Sequence, residues 1–292
     1  MNIGLAGTGA LAAFVSRRLT GKYSVFFVDI AHGDSSPASG VERLDSLAAL
    51  GERSDIVLLA ADSETQLDEL LSQNGLLAGL HEGKIVANLG QDDPDRARER
   101  AVNLAGRGIA FVDASLHTEN TESIHEASAI LFGGAPTAFQ SLHTVLETIC
   151  PTIVQCGDAG DGHATRLVVV AIAACNRLIT YECAAMGVSN GLTIGDMATV
   201  LNKSSGYNSA SARVLPALAS TGHTADATLG DYASDVKLAS AVGMRYGAPM
   251  LIATLVRSML DAACNRLGNS VSIDELASVW EADARLPVPR RL

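Results

Sequence analysis

A glycine turn set between an apolar strand and an apolar helix, nine residues from the start, limits this chain more than any other feature. Ile3-Gly4-Leu5-Ala6 leads into Gly7-Thr8-Gly9-Ala10-Leu11-Ala12, and a helical pattern runs on through Leu11–Leu19. A second apolar run, Val25-Phe26-Phe27-Val28, closes on Asp29 about twenty residues later. Strand, turn, helix and acid-terminated strand together form the βαβ fingerprint of a dinucleotide site. In that reading Gly7 permits the tight turn and Gly9 lets backbone approach a diphosphate. Ala12 keeps the helix close to the strand, and the helix start offers amides to the anion. Asp29 accepts from the adenosine ribose hydroxyls, or else caps the following turn. Its charge repels a 2′-phosphate, and Ile30-Ala31-His32 supplies no arginine. NAD is therefore expected over NADP, which remains possible if His32 is protonated.

The first half continues the pattern. Strands are expected at 55–60, 84–89, 109–112, 129–132 and 152–154, and helices at 64–72, 94–106 and 136–149. Pro94 occupies a tolerated first-turn position. This describes a doubly wound, mostly parallel α/β sheet. Residues 32–40 have loop composition.

After Gly157-Asp158-Ala159-Gly160-Asp161-Gly162 the character changes. Nothing breaks a helix from His163 to about Met186, a rod of roughly 36 Å. Its Leu167–Cys175 stretch is apolar on every face and is expected to be buried, and a rod of this length suggests packing against a second copy of the chain. Further helices follow at 192–201, 209–220, 231–243, 249–267 and 273–281. A dinucleotide-binding domain over 1–158 and a helical substrate and dimerisation domain over 159–292 are expected, with the ligand in the cleft between them.

Composition narrows the function classes. A net charge of −11 disfavours nucleic acid and anionic membranes as partners. Five scattered cysteines with no C-x-x-C pair read as reduced thiols. With the first strand starting near Asn2 and an apolar run too short to span a bilayer, a cytoplasmic location is expected. His117, Glu119, Glu122, His125 and Glu126 match no zinc spacing, so a solvated acidic loop and no metal are expected.

Several segments resemble the β-hydroxyacid dehydrogenase family, which includes 3-hydroxyisobutyrate dehydrogenase and is related to 6-phosphogluconate dehydrogenase. Gly7–Ala12 sits at the family's G-x-G-x-M-G/A turn. Residues 54–62 match the strand from which the family's chain passes the nicotinamide ribose, which brings Ala60 and Ala61 to the cofactor. Asn88-Leu89-Gly90-Gln91-Asp92-Asp93-Pro94 sits at D-M-S-T-x-S-P, with Gly90 beside the cofactor. Phe111-Val112-Asp113-Ala114-Ser115-Leu116-His117-Thr118-Glu119 sits at F-x-D-A-P-V-S-G-G, the substrate loop. Gly160–Arg166 sits at G-x-G-x-x-x-K, and Ser234-Asp235 at a K-D pair that puts Asp235 near the cofactor.

The resemblance implies an NAD(P)-dependent oxidoreductase acting on a small polar hydroxy acid or carbonyl compound. It also carries departures. Arg166 stands at the family's proton-transferring lysine, and Val169 and Val170 stand in the region of its substrate-orienting Asn. Arginine stays charged at neutral pH, so it clamps an anion or steadies an oxyanion rather than moving a proton; the alternative is an ion pair with Asp158, Asp161 or Glu182. His117 is the first replacement for the proton relay, against a surface-loop histidine, and His163 the second, against a helix-start role. Thr118, Glu119, Val170 and Asn208 complete the expected substrate contacts, with Lys203, Asp231 and Tyr232 further out. Two rivals stand: an imine reductase, suggested by Asn88-Leu89…Pro94, and a dinucleotide-binding protein without turnover.

Overall fold

The computed structural model describes residues 1–30, 38–61, 63–118, 127–220 and 227–284. Two compact units are present: residues 1–118 with 127–166, and residues 167–284.

The first unit is one sheet covered on both faces. Its strands are β1 (Asn2–Gly7), β2 (Ser24–Asp29), β3 (Glu42–Arg43), β4 (Ile56–Ala60), β5 (Ile85–Asn88), β6 (Ala110–Thr118), β7 (Ala127–Gly133) and β8 (Ile153–Gly157). Their spatial order is β3-β2-β1-β4-β5-β6-β7-β8. The first six run parallel; β7 turns back antiparallel on β6, and β8 runs with β7. The chain reverses its direction of travel across the sheet between β1 and β4, the switch point at which such sheets bind ligands.

Alternation along the strands feeds two cores. Ile3, Leu5 and Leu58 face helices α1 (Gly9–Leu19) and α5 (Pro136–Ile149), meeting Phe14, Val15, Leu142 and Leu146. Ala6, Val57 and Leu59 face α2 (Leu47–Arg53), α3 (Glu64–Leu70) and α4 (Pro94–Ala105) through Leu50, Leu67 and Ala97. Strands buried on both faces read as continuous apolar runs, and that is why β1, β2 and β4 were visible in the sequence.

Helix α2 and strand β3 were not expected. Ser46 caps α2 through the Ala49 amide, but seven residues containing Gly51 carry too short a period to stand out. Strand β6 runs to Thr118, six residues beyond the expected end.

Helix α6 (Asp161–Ser189) has 29 residues, longer than the expected 163–186. By length and composition it is apolar enough to cross a membrane, which the Leu167–Cys175 run alone did not suggest. Beyond Arg166 it packs into the second unit. Leu167 and Ala171 meet Ala239 and Val242, and Ala174, Leu178 and Tyr181 join a larger core with Val236, Leu260 and Leu276. It is not apolar all round in the sense of being buried all round: Val168, Ile172, Ile179 and Met186 are more than half exposed.

The remaining helices are α7 (Ile194–Leu201), α8 (Leu215–Ser220), α9 (Leu229–Arg245), α10 (Leu251–Leu267) and α11 (Asp274–Ala284). A π-helical turn, Ala210–Val214, precedes α8. At the heart of this unit Arg177 donates to Tyr181 Oη (2.7 Å), Tyr232 Oη (2.9 Å) and Asp274 Oδ1 (2.9 Å). Tyr181 also donates to Asp274 Oδ1 at 2.6 Å. One buried cation thereby ties α6, α9 and α11 together, and each of these polar groups is answered by another.

Candidate functional site

The carboxyl ends of β1, β2, β4 and β5, level with the middle of β6, bring the first unit's cofactor candidates to one edge of it. Register pairs Gly7 with Asp29 on one side and with Ala60 on the other. Leu59 pairs with Asn88, and Asn88 with Asp113. Neighbouring strands lie roughly 4.8 Å apart, so this row runs from Asp29 to Asp113 without a gap.

The turn falls to Gly9 and not to Gly7, from which it was expected. Gly9 has φ +65°, and a Cβ there would meet nothing within 4 Å. Gly9 therefore makes the turn, and it borders open space. A Cβ on Gly7 would lie 2.5 Å from the Ala60 carbonyl oxygen. Its bareness serves strand-to-strand packing, not the turn. Thr8 stands at the N-cap of α1 without a side-chain cap bond, and the first turn holds no acid. Ala10 is exposed, Leu11 half-buried and Ala12 buried under the helix. Such a helix start favours an anion. Asp29 and Ile30 are half-buried, while Ala60, Ala61 and Gly90 are buried. His32 and Glu119, with Glu122, His125 and Glu126, lie outside the described residues.

Beside this row, at the other end from Asp29, sits a buried polar cluster. Asp113 interrupts the apolar run of β6, and its carboxylate accepts from the Gly160 amide (2.6 Å) and the His163 amide (2.8 Å). A Cβ on Gly162 would lie 2.6 Å from Asp113 Oδ2. The G-x-G at the start of α6 thus makes room for a carboxylate of the protein itself. Burial pushes the Asp113 carboxyl up to about 6, against the pull of those amides.

The His163 ring is buried too, and Asn88 Nδ2 stands 3.3 Å from its Nε2. Burial, helped by the charges of Arg166 and Arg100, lowers its pKa to about 3. A group with that pKa does not exchange protons near neutrality. The structure thus weakens the expectation that His163 relays a proton.

Asp92 is buried and paired with Arg100; burial raises its carboxyl to about 6, the Arg100 charge opposing. Arg100 also donates to Asp68 (2.6 Å), which accepts from Arg96 (2.9 Å), which in turn reaches Glu64 (2.8 Å). The segment after β5 is thereby fastened to α3 and α4 by alternating charges.

His117 is half-buried near the end of β6 and pairs with Ala129, and the register shifts between His117 and Thr118. Such irregularities re-aim side chains next to functional sites. Arg166 is half-buried in the second turn of α6, and Asp161 bonds Arg98 at 2.9 Å. Among the described residues no cluster of His, Cys, Asp or Glu is arranged to hold a metal.

Several candidates belong to the second unit. Val170 packs beside Leu167 and Ala171. Asp235 is half-buried on α9. Asn208 commits both ends of its amide: Oδ1 accepts from Ala210 and Ser211, and Nδ2 donates to Gly206 O and Thr180 Oγ1. It organises its own turn. Asp231 forms a capping box with Thr228, and Tyr232 accepts from Arg177. Lys203 is exposed.

Sequence reasoning assigned no role to Asn88 or Asp113. Their signal was present: Asn88 closes the apolar run Ile85–Ala87 and Asp113 follows Phe111-Val112, and burial of either demands a specific partner.

Residues 2–157 match the model of the NAD binding domain of 6-phosphogluconate dehydrogenase. Residues 160–280 match the model of the NAD-binding domain of NADP-dependent 3-hydroxyisobutyrate dehydrogenase. The chain belongs to the β-hydroxyacid dehydrogenase family. It is 23% identical over 210 residues to 2-(hydroxymethyl)glutarate dehydrogenase of Eubacterium barkeri, covering 70% of each chain. Among solved structures it resembles 3-hydroxyisobutyrate dehydrogenase of Mycobacterium tuberculosis with L-serine. The TM-score is 0.84 at 17% identity, over 95% of this chain and 98% of that one. An imine reductase from Myxococcus stipitatus in complex with NADP+ shares the fold at a TM-score of 0.64 and 18% identity, over 96% and 99% of the two chains. The family is one of NAD(P)-dependent oxidoreductases, and the fold is its N-terminal Rossmann-like sheet followed by helices.

Proposed function

We propose that this protein is an NAD-linked oxidoreductase of a small, polar hydroxy acid or its carbonyl counterpart, working in the cytoplasm as a homodimer. The observation that carries the reading is the left-handed Gly9 that opens α1 with no acid in its first turn, and Asp29 held one strand away by the Gly7 pairing. The open side of Gly9 and the α1 amides fit a diphosphate. The Asp29 carboxylate fits two ribose hydroxyls and opposes a 2′-phosphate, which supports NAD over NADP. When bound, the nicotinamide supplies the hydride acceptor or donor.

The chain's own residues do the rest. Arg166 binds the substrate's carboxylate or steadies a developing oxyanion as a fixed charge. His117, at the irregular end of β6, moves the hydroxyl proton. His163, whose pKa burial lowers to about 3, stays neutral and does not share that task. Homodimerisation is supported by the exposed apolar residues of α6, which recur on one side of the helix.

Calorimetry with NAD+ and NADP+, followed by turnover assays on 3-hydroxyisobutyrate, L-serine and 2-(hydroxymethyl)glutarate, tests the proposal. We expect tighter NAD+ binding, turnover of at least one acid, and its loss in Arg166→Ala and His117→Ala with NAD+ affinity kept. Turnover that survives both substitutions refutes the site assignment. Asn88-Leu89…Pro94 and the likeness of fold to an imine reductase favour a second reading; reduction of cyclic imines, with no hydroxy acid oxidised, would establish it. Cofactor binding with no turnover of either class would leave a dinucleotide-binding protein without catalysis.

A further inference from the structure

Two hydrogen bonds determine which nitrogen of His163 carries its proton. The Gly90 amide donates to Asn88 Oδ1 at 3.0 Å. That contact fixes the orientation of the Asn88 amide, because a flipped amide would set an NH2 against an N–H. Nδ2 therefore faces the ring and donates to His163 Nε2 at 3.3 Å. Nε2 keeps its lone pair, so the proton of the neutral ring sits on Nδ1. His163 Nδ1 is buried and has no hydrogen-bond partner among the described residues, while the residue as a whole is 1% exposed. A buried donor without an acceptor is costly, and native folds keep few.

The position of this donor says what answers it. Asn88 ends β5, two strands from Gly7 across β4. A dinucleotide whose diphosphate rests on α1 and whose adenosine ribose meets Asp29 extends its other end toward β4 and β5. We propose that Asn88 holds His163 as the Nδ1–H tautomer, and that this N–H is a fixed donor to an uncharged carbonyl or hydroxyl oxygen at the nicotinamide end of the bound ligands. The oxygen belongs either to the nicotinamide carboxamide or to the substrate. Lowering of the ring's pKa by burial and by Arg166 and Arg100 keeps the imidazole neutral throughout the working range. His163 is then a hydrogen-bonding electrophile rather than an acid or base, a role open to neutral imidazole. This rests on the dinucleotide reading above.

The test is 15N-edited NMR of the histidine rings in the full-length protein, with the His163 signals assigned by comparison with His163→Gln. The free protein should show protonated Nδ1 and bare Nε2 for this ring, without titration between pH 5 and 8. NAD+ and ADP-ribose, which lacks the nicotinamide, are then added separately. A shift of the Nδ1–H signal with NAD+ but not with ADP-ribose assigns the acceptor to the carboxamide. A shift only when L-serine or 3-hydroxyisobutyrate joins NADH assigns it to the substrate. The proposal is overturned if Nε2 carries the proton, or if Nδ1–H stays unmoved in every complex while calorimetry shows NAD+ bound. Failure of both NAD+ and ADP-ribose to bind overturns the dinucleotide reading and this proposal with it. In the carboxamide case His163→Gln should weaken NAD+ by up to about tenfold and leave ADP-ribose affinity unchanged. Asn88→Asp replaces the donor to Nε2 by an acceptor and should move the ring proton to Nε2.

Discussion

Asp113 sets two physical effects against each other, and Asp113→Asn shows which is larger. Its carboxylate receives the Gly160 and His163 amides, which favours the charged form. Its burial disfavours that form and prevails, lifting the carboxyl from an ordinary 3.8 to about 6. At about 1.4 kcal/mol per tenfold, the rise is worth about 3 kcal/mol. Between pH 4 and 6 the folded protein then holds a proton that the unfolded chain has released. A raised acid is at full stability below its unfolded pKa and loses it as pH climbs through the folded one. The Asn variant has no proton to lose. The stability difference, wild type minus variant, should therefore shrink by about 2.4 kcal/mol from pH 4 to pH 7, whatever its absolute size. Taking the difference cancels other carboxylates, including Asp92, which is raised in the same direction. Trp280 belongs to the second unit, so its fluorescence does not report on the first. The assay is urea unfolding at several pH values, with a short deuterium pulse reporting on the Ala110–Thr118 peptide. A difference that grows with pH would mean that the amides outweigh burial, and the reasoning would be wrong.

Gly7→Ala and Gly9→Ala should separate structure from binding. The first drives a methyl into the Ala60 carbonyl and should cost about 1–3 kcal/mol of stability by denaturant melt; the second should cost about 1 kcal/mol through its left-handed backbone and chiefly weaken NAD+ in calorimetry. Asp29→Ser should move the NADP+/NAD+ affinity ratio toward NADP+ by about tenfold, within the ~1–4 kcal/mol repulsion of near charges; an unchanged ratio refutes its ribose role. Asp274→Asn removes the buried carboxylate that accepts from Arg177 and Tyr181 and should cost about 3–5 kcal/mol, read by Trp280 fluorescence during urea unfolding.

The sequence disclosed those parts of the molecule in which local pattern and tertiary role agree. Buried parallel strands are apolar throughout, so β1, β2, β4 and β5 stood out; Pro136 and the apolar period located α5 at its observed bounds. Helix α2 escaped because seven residues hold barely two turns. The candidate site was legible as a set of segments but less so as chemistry. Gly7 and Gly9 look alike in a string of letters, and only backbone angle and the Ala60 carbonyl tell them apart. Asn208 reads as a substrate contact in the sequence, while its amide makes three bonds within its own turn and a fourth to Thr180. Asn88 and Asp113 passed unassigned because their partners, Gly160 and His163, are distant in sequence and approach only across the sheet edge.

The chain of charges from Asp92 through Arg100, Asp68 and Arg96 to Glu64 runs from the interior to the surface. Dissolved ions reach its outer links, where Arg96, Asp68 and Glu64 are nearly half exposed, but not Asp92 at its root. Raising ionic strength should therefore slacken the hold between α3 and α4 at the rim and leave the anchor behind β5 taut. The segment following β5 would then keep its shape in brines that loosen the helices around it.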